Sequence, residues 1–175
     1  MKVRTFSIMA LVLAVAMGIA CSKQTTASGS YKDAVKSALE QADLRDVDVS
    51  EDADKNTITL SGTLHSDDAK AKATEVAKAN SGNRIVVNEV SVRPVGMESE
   101  AKSEASNLDD AIESNYKAAL VSKGLDKQHI RFDAKNGVLT IKGNVKTSAQ
   151  RKEAEQLAQA VPNVQQVLNQ IDVNR

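Results

Sequence analysis

The chain has no tryptophan, only two tyrosines and two phenylalanines, and a single cysteine in 175 residues. One cysteine leaves no partner for an intrachain disulfide, and a thiolate zinc site needs several ligands at short spacing. So sparse a set of aromatics offers no stacking platform for the bases of a single-stranded nucleic acid. Charge of one sign is lacking too. Lys+Arg and Asp+Glu both number 23, so the positive field that holds a phosphate backbone is missing and no nucleic-acid partner is expected. No nucleophile elbow, glycine-rich phosphate loop or H-E-x-x-H helix occurs, and the chain reads as a non-enzyme without metal or cofactor. What remains is a core built from Val, Ile, Leu and Ala, which implies small domains.

The cysteine, Cys21, stands where an apolar run ends. Lys2 and Arg4 lead into apolar residues from about Phe6 to Ala20. That run is shorter than the roughly 20 residues of a membrane-spanning helix and fits a secretory signal. Gly18-Ile19-Ala20-Cys21 resembles the bacterial lipobox at Ala20 and Cys21, with Gly18 in place of the usual large aliphatic. The resemblance implies a signal over 1–20, a lipidated Cys21 at the new amino terminus and a tether over 21–30. Ser22, where an inner-membrane retention signal places Asp, implies the periplasmic side of the outer membrane. Gly18 and Ala20 also suit ordinary signal peptidase, which would release a soluble periplasmic protein with a free thiol.

Beyond the signal the chain repeats itself. Laying TITLSGTLHSDDAKAKATEVAKA over VLTIKGNVKTSAQRKEAEQLAQA pairs Gly62 with Gly143, a shift of 81 positions that holds without a gap over a whole unit. It pairs Leu39 with Leu120, Leu44 with Leu125, Ala73 with Ala154, Ala77 with Ala158, Asn88 with Asn169 and Val92 with Val173. The copies occupy 31–94 and 108–175. Between them lies 95–107, whose VGMESEAKSEASN reads as a flexible or weakly helical linker.

Each copy shows the same order of periods. Tyr31, Val35, Ala38 and Leu39, answered by Ile112, Tyr116, Ala119 and Leu120, have helical spacing, with Asn107 as N-cap of the second helix and Gly124 as its stop. Val47 and Val49 alternate with Asp, and Ile58, Leu60 and Leu64 follow as a second strand. Ile130 and Phe132, then Leu139, Ile141 and Val145, repeat the pair. Asp54-Lys55-Asn56 and Asn136-Gly137 close the hairpins. A second helix begins near Ser66 or Thr147, and a last strand carries Val86, Val90 and Val92 or Val167, Ile171 and Val173. The fold expected is α+β: two tandem α-β-β-α-β units, each a three-stranded mixed sheet with two helices on one face.

That order, with the glycine in TITLSGTL and LTIKGNV, the alanine-rich LAQAVPNV and the ending VLNQIDV, resembles the BON domain of bacterial envelope proteins. Two such domains behind a lipobox are similar to dual-BON lipoproteins, and two without lipidation to osmotically inducible periplasmic proteins. The resemblance implies phospholipid association and support of the outer membrane, with osmotic stress as one setting, without catalysis. The alternative is a protein-binding module for an envelope assembly or cell-wall partner.

Candidate sites are few. The first copy carries a formal charge of −3 and the second +2, so Lys123, Lys127, Arg131, Lys142 and Lys146 are the candidate contacts to anionic phospholipid. Asp46, Asp48, Ser50 and Asp52 alternate like a calcium loop, but Glu51 stands where that loop needs Gly and Thr57 where it needs Glu. His65 and His129 fall at non-equivalent places in the repeat and read as surface residues. Gly62 and Gly143 read as bulges or as places where a helix packs tightly on the sheet, with close approach of a ligand as the alternative.

Overall fold

The computed structural model describes residues 30–174; Cys21 and the signal segment lie outside the described residues. Among the described residues there are four helices and seven strands, in two successive α-β-β-α-β units.

In the first unit, α1 (Tyr31–Gln41) starts at Ser30, whose hydroxyl accepts from Lys32 N at 3.2 Å. It buries Val35 and Leu39. β1 (Val47–Asp52) and β2 (Thr57–Leu64) pair antiparallel around a turn where Asn56 takes φ of 53°. α2 (Asp67–Asn80) is capped by Ser66 and buries Ala73 and Ala77, whose small size lets the helix lie close to the sheet. The last strand is split into β3 (Ile85–Asn88) and β4 (Ser91–Val92), both parallel to β2. Where it breaks, Asn88 Oδ1 accepts from Val90 N at 3.0 Å.

The second unit repeats this with β5 (His129–Lys135), β6 (Val138–Val145), α4 (Ser148–Gln159) and β7 (Gln166–Val173). β5 pairs antiparallel and β7 parallel with β6. Asn136 and Gly137, at φ of 48° and 82°, form the expected hairpin turn. Thr147 and Gln150 complete a capping box at α4. Tyr116 is fully buried, donates to Ala154 O at 3.1 Å and meets Phe132 edge-on at 5.1 Å between centroids. Burial pushes its phenol pKa upward.

Two expectations are corrected. Of the two alternatives for residues 95–107 the helical one holds from Glu98 onward, and the helix does not begin at an N-cap on Asn107. Instead α3 (Glu98–Ser122) is one helix of 25 residues that runs through Asn107. Its Glu, Lys and Ala content favours helix, and its side chains are tied to the second unit. Asp109 accepts from Asn136 N and Gly137 N at 2.8 and 3.0 Å, and Glu113 from Ala134 N at 2.9 Å. Gly124 does end the helix, at φ of 68°. The second correction concerns Gly62 and Gly143, at φ of 117° and 122°. A Cβ on either would strike the carbonyl oxygen of Asp46 or His129, so the neighbouring strand, not a helix, crowds them.

The repeat also hides a tie that its alternation pattern does not reveal. Asn88 Nδ2 donates to Lys70 O and Thr74 Oγ1 at 2.9 and 2.6 Å. Asn169 Nδ2 does the same to Arg151 O and Glu155 Oε2 at 3.5 and 2.9 Å. Each asparagine thus straps its last strand to its second helix at equivalent places.

The two units touch through the sheet faces turned away from their helices. Val87 is buried with Val138 and Leu168. Around this small apolar centre Gln166 Nε2 donates to Val86 O at 2.9 Å, Asn136 Nδ2 to Glu89 O at 2.7 Å, and Lys135 pairs with Glu89 at 2.8 Å.

Candidate functional site

The five basic residues fall in three settings. Register places Arg131 directly opposite Lys142 on the outward face of β5 and β6. Like charges so placed repel unless an anion lies over them. Lys127 precedes β5 and Lys146 follows β6; because His129 pairs with Asn144, the two flank the same end of the hairpin. Lys123 caps α3 beside Val121, an apolar side chain 55% exposed. Among the described residues the ion pairs are Lys55–Asp52, Arg84–Glu51 and Lys135–Glu89, and they use none of these five cations.

Lys142 differs from the other four in its surroundings. It shares a groove of about 230 Å³ between the two sheets with Glu51, Asp52, Thr140 and Gln170. Arg131 and Lys142 thus share the outward face of the hairpin, with Lys142 also lining the groove toward the first unit, while Lys127 and Lys146 flank the hairpin's end and Lys123 stands at the end of α3.

A larger cleft, about 420 Å³, opens where α2, α3 and the second hairpin meet; Lys70, Val90, Leu108, Asp109 and Val164 line it. Lys70 Nζ donates to Asn136 O at 3.3 Å. Burial pushes the Lys70 pKa down, opposed by the nearby carboxylates of Asp67 and Asp109. Sequence alternation gave no sign of this cleft, because it exists only where the two units meet.

The first unit's acidic run serves the fold. Asp52 accepts from Lys55 N at 3.1 Å in the β1–β2 turn. Glu51 accepts from Ser30 Oγ at 2.5 Å and Lys32 N at 3.0 Å and pairs with Arg84 at 2.6 Å. The Ser30 hydroxyl and the Lys32 amide, with Arg84 beside them, hold the Glu51 carboxyl below its usual pKa. Arg84 in turn covers the Tyr31 ring at 5.0 Å, so this cluster pins the start of α1. Among the described residues no group of three or more His, Cys, Asp or Glu is placed to hold a metal ion. His65 Nδ1 lies 2.9 Å from Arg93 O, and His129 is exposed at a strand end. No helix among the described residues is long and apolar enough to cross a membrane.

Comparison with known proteins finds both sequence relatives and solved structures. Osmotically-inducible protein Y of Escherichia coli (strain K12) is 32% identical over 139 residues, which is 78% of this chain and 68% of that protein. Two solved structures of CdsD, a structural protein of the type III secretion system of Chlamydia trachomatis, align at 12% identity with a TM-score of 0.34. The alignments cover 79% and 82% of this chain but only 62% and 61% of those structures. The BON domain model matches residues 30–94 and 108–175. With both of its folded units matched, the chain belongs to the BON-domain family, as a tandem pair.

Proposed function

We propose that this is a non-catalytic periplasmic protein, anchored to the outer membrane by acyl chains on Cys21, that holds to anionic phospholipid and supports the envelope under osmotic stress. The observation that carries the reading is the set of second-unit cations outside the ion pairs: Lys127 and Lys146 flanking the hairpin's end, Arg131 on its outward face and Lys123 at the end of α3. The export signal and the likeness to an osmotically inducible protein support the compartment and the stress. Each Lys or Arg near an anionic surface contributes about 1 kcal/mol, so four give a weak contact that a lipid tether would keep occupied.

The test uses the mature chain with Cys21→Ser, and vesicles with and without anionic lipid. Binding is expected at low salt to anionic vesicles only, with release as salt rises. Replacing Lys123, Lys127 and Arg131 together by Glu should abolish it. Equal binding by that variant would place the contact elsewhere, and absence of binding by the parent chain would favour a protein partner. Intact mass of the exported protein reads the anchor separately: a mass lacking acyl groups on Cys21 refutes lipidation.

A further inference from the structure

Asn136 and Gly137 form the turn of the second hairpin and also its junction with the first unit. Asn136 Nδ2 donates to Glu89 O at 2.7 Å, and Asn136 O accepts from Lys70 Nζ at 3.3 Å, so two polar groups of this residue reach across the domain boundary. The adjoining amides are held from the other side. Asn136 N donates to Asp109 Oδ2 at 2.8 Å and Gly137 N to Asp109 Oδ1 at 3.0 Å. Gln165 packs over the face where Gly137 would carry a Cβ.

An asparagine followed by glycine is chemically vulnerable, because no Cβ blocks the glycine nitrogen from reaching the preceding side-chain carbon. We propose that Asn136 is a deamidation site gated by docking of the two domains. In the reaction Gly137 N bonds to Asn136 Cγ and the Cγ–Nδ2 bond breaks. The leaving nitrogen departs as ammonia, taking the proton given up by Gly137 N. Water then opens the succinimide at either carbonyl, leaving aspartate or isoaspartate. Nothing but water is consumed.

The observed geometry opposes the first step twice. Asp109 holds the proton of the attacking nitrogen, and Glu89 O holds the departing amide in place. Asp109 belongs to α3 and stays with the second unit, whereas Glu89 is lost whenever the units separate. Separation therefore removes one restraint, and the product prevents its return. A carboxylate has no proton to give Glu89 O, and its oxygen in place of Nδ2 would face that carbonyl oxygen. Isoaspartate in addition lengthens the backbone of a two-residue turn. Docking and deamidation are thus mutually exclusive, and the junction records time spent open.

The experiment follows conversion at position 136 by peptide mapping during incubation at mildly alkaline pH. The full mature chain, its Val87→Asp and Asp109→Ala variants and the double variant are compared with a synthetic peptide of residues 131–141. The intact chain should convert at least about tenfold more slowly than the peptide, as expected where reaction requires local opening. Each single variant should be faster than the parent, and the double variant should approach the peptide. Parent conversion at the peptide rate, or a folded Val87→Asp no faster than the parent, overturns the gating. Should Val87→Asp fail to fold, Asn136→Asp in the full chain reads the product state directly. It should split the unfolding of the two units, and retention of the parent's single transition overturns the switch.

Discussion

Val87 of β3 packs against Leu168 of β7, and the two hold equivalent places in the repeat, 81 positions apart. The groove beside them is walled by two further equivalent pairs, Thr59 with Thr140 and Glu89 with Gln170. The copies therefore meet about an approximate two-fold axis, as the subunits of an isologous dimer do. Such an interface couples two units that the sequence alone describes as separate beads.

Coupling changes how the chain should unfold. Leu60→Ala or Ile141→Ala removes a fully buried core side chain at a cost of about 2–5 kcal/mol. With the interface intact, either substitution should lower one shared transition rather than unfold its own unit alone. Leu168→Asp, which sets a charge in the apolar centre of the interface, should split that transition in two. Calorimetry of the three variants decides the matter, and two well-separated transitions in the parent chain would show that the contact is too weak to couple the units.

How much of this was legible beforehand follows from periodicity. Alternation read Val86, Val90 and Val92 as the inward face of the last strand, and each unit's core was recovered from the 81-residue shift. Val87 and Leu168 are out of phase with that alternation and were passed over, although Ile85-Val86-Val87 is the unbroken apolar run of a strand covered on both faces. The start of α3 was misplaced at Asn107 for a related reason. Ala101, Ala105 and Leu108 are too weakly apolar to stand out as a helical stripe, although the Glu, Lys and Ala content of the segment favours helix. Of the candidate lysines, alternation placed Arg131 and Lys142 on one face, but which of them looks across to the other domain depends on the interface.

The approximate symmetry is broken at Gln170. Its counterpart Glu89 pairs with Lys135, while Gln170 Oε1 is buried with no hydrogen-bond partner among the described residues. A buried polar atom left unsatisfied costs about 1–3 kcal/mol, so Gln170→Met should stabilise the chain by about 1 kcal/mol whatever the salt. Gln170→Glu should instead destabilise it, because Glu51, Asp52 and Glu89 line the same groove. Denaturant midpoints at low and high salt test both signs, and stabilisation by the glutamate would mean that Lys55 answers it.

Acid should loosen the start of α1. The Glu51 carboxyl is held below the usual glutamate value of 4.5 by the Ser30 hydroxyl first, then the Lys32 amide and Arg84. A group whose pKa is lower in the folded state contributes stability that is complete above its unfolded value and is lost as pH falls through the folded value. The parent chain should therefore lose this contribution below about pH 4.5, the unperturbed value. Glu51→Gln should be less stable near neutrality and show a shallower acid limb. Identical acid limbs for the two proteins would remove Glu51 from the account.

Glycine substitutions separate crowding from backbone preference. Gly124 and Gly143 both have positive φ, at 68° and 122°. Around Gly124 there is nothing within 4 Å of an added Cβ, so Gly124→Ala should cost only the conformational penalty of about 1–2 kcal/mol. At Gly143 the same Cβ would strike His129 O and approach the Ile130 backbone, so β5 must shift away from β6 to admit it. Gly143→Ala should cost clearly more than Gly124→Ala, and Gly62→Ala should behave like Gly143→Ala because Asp46 O crowds it in the same way. Denaturant unfolding of the three variants supplies the comparison. A cost at Gly143 no larger than at Gly124 would mean that the strand pair yields easily, and would return the repeated glycine to the reading in which a ligand requires the space.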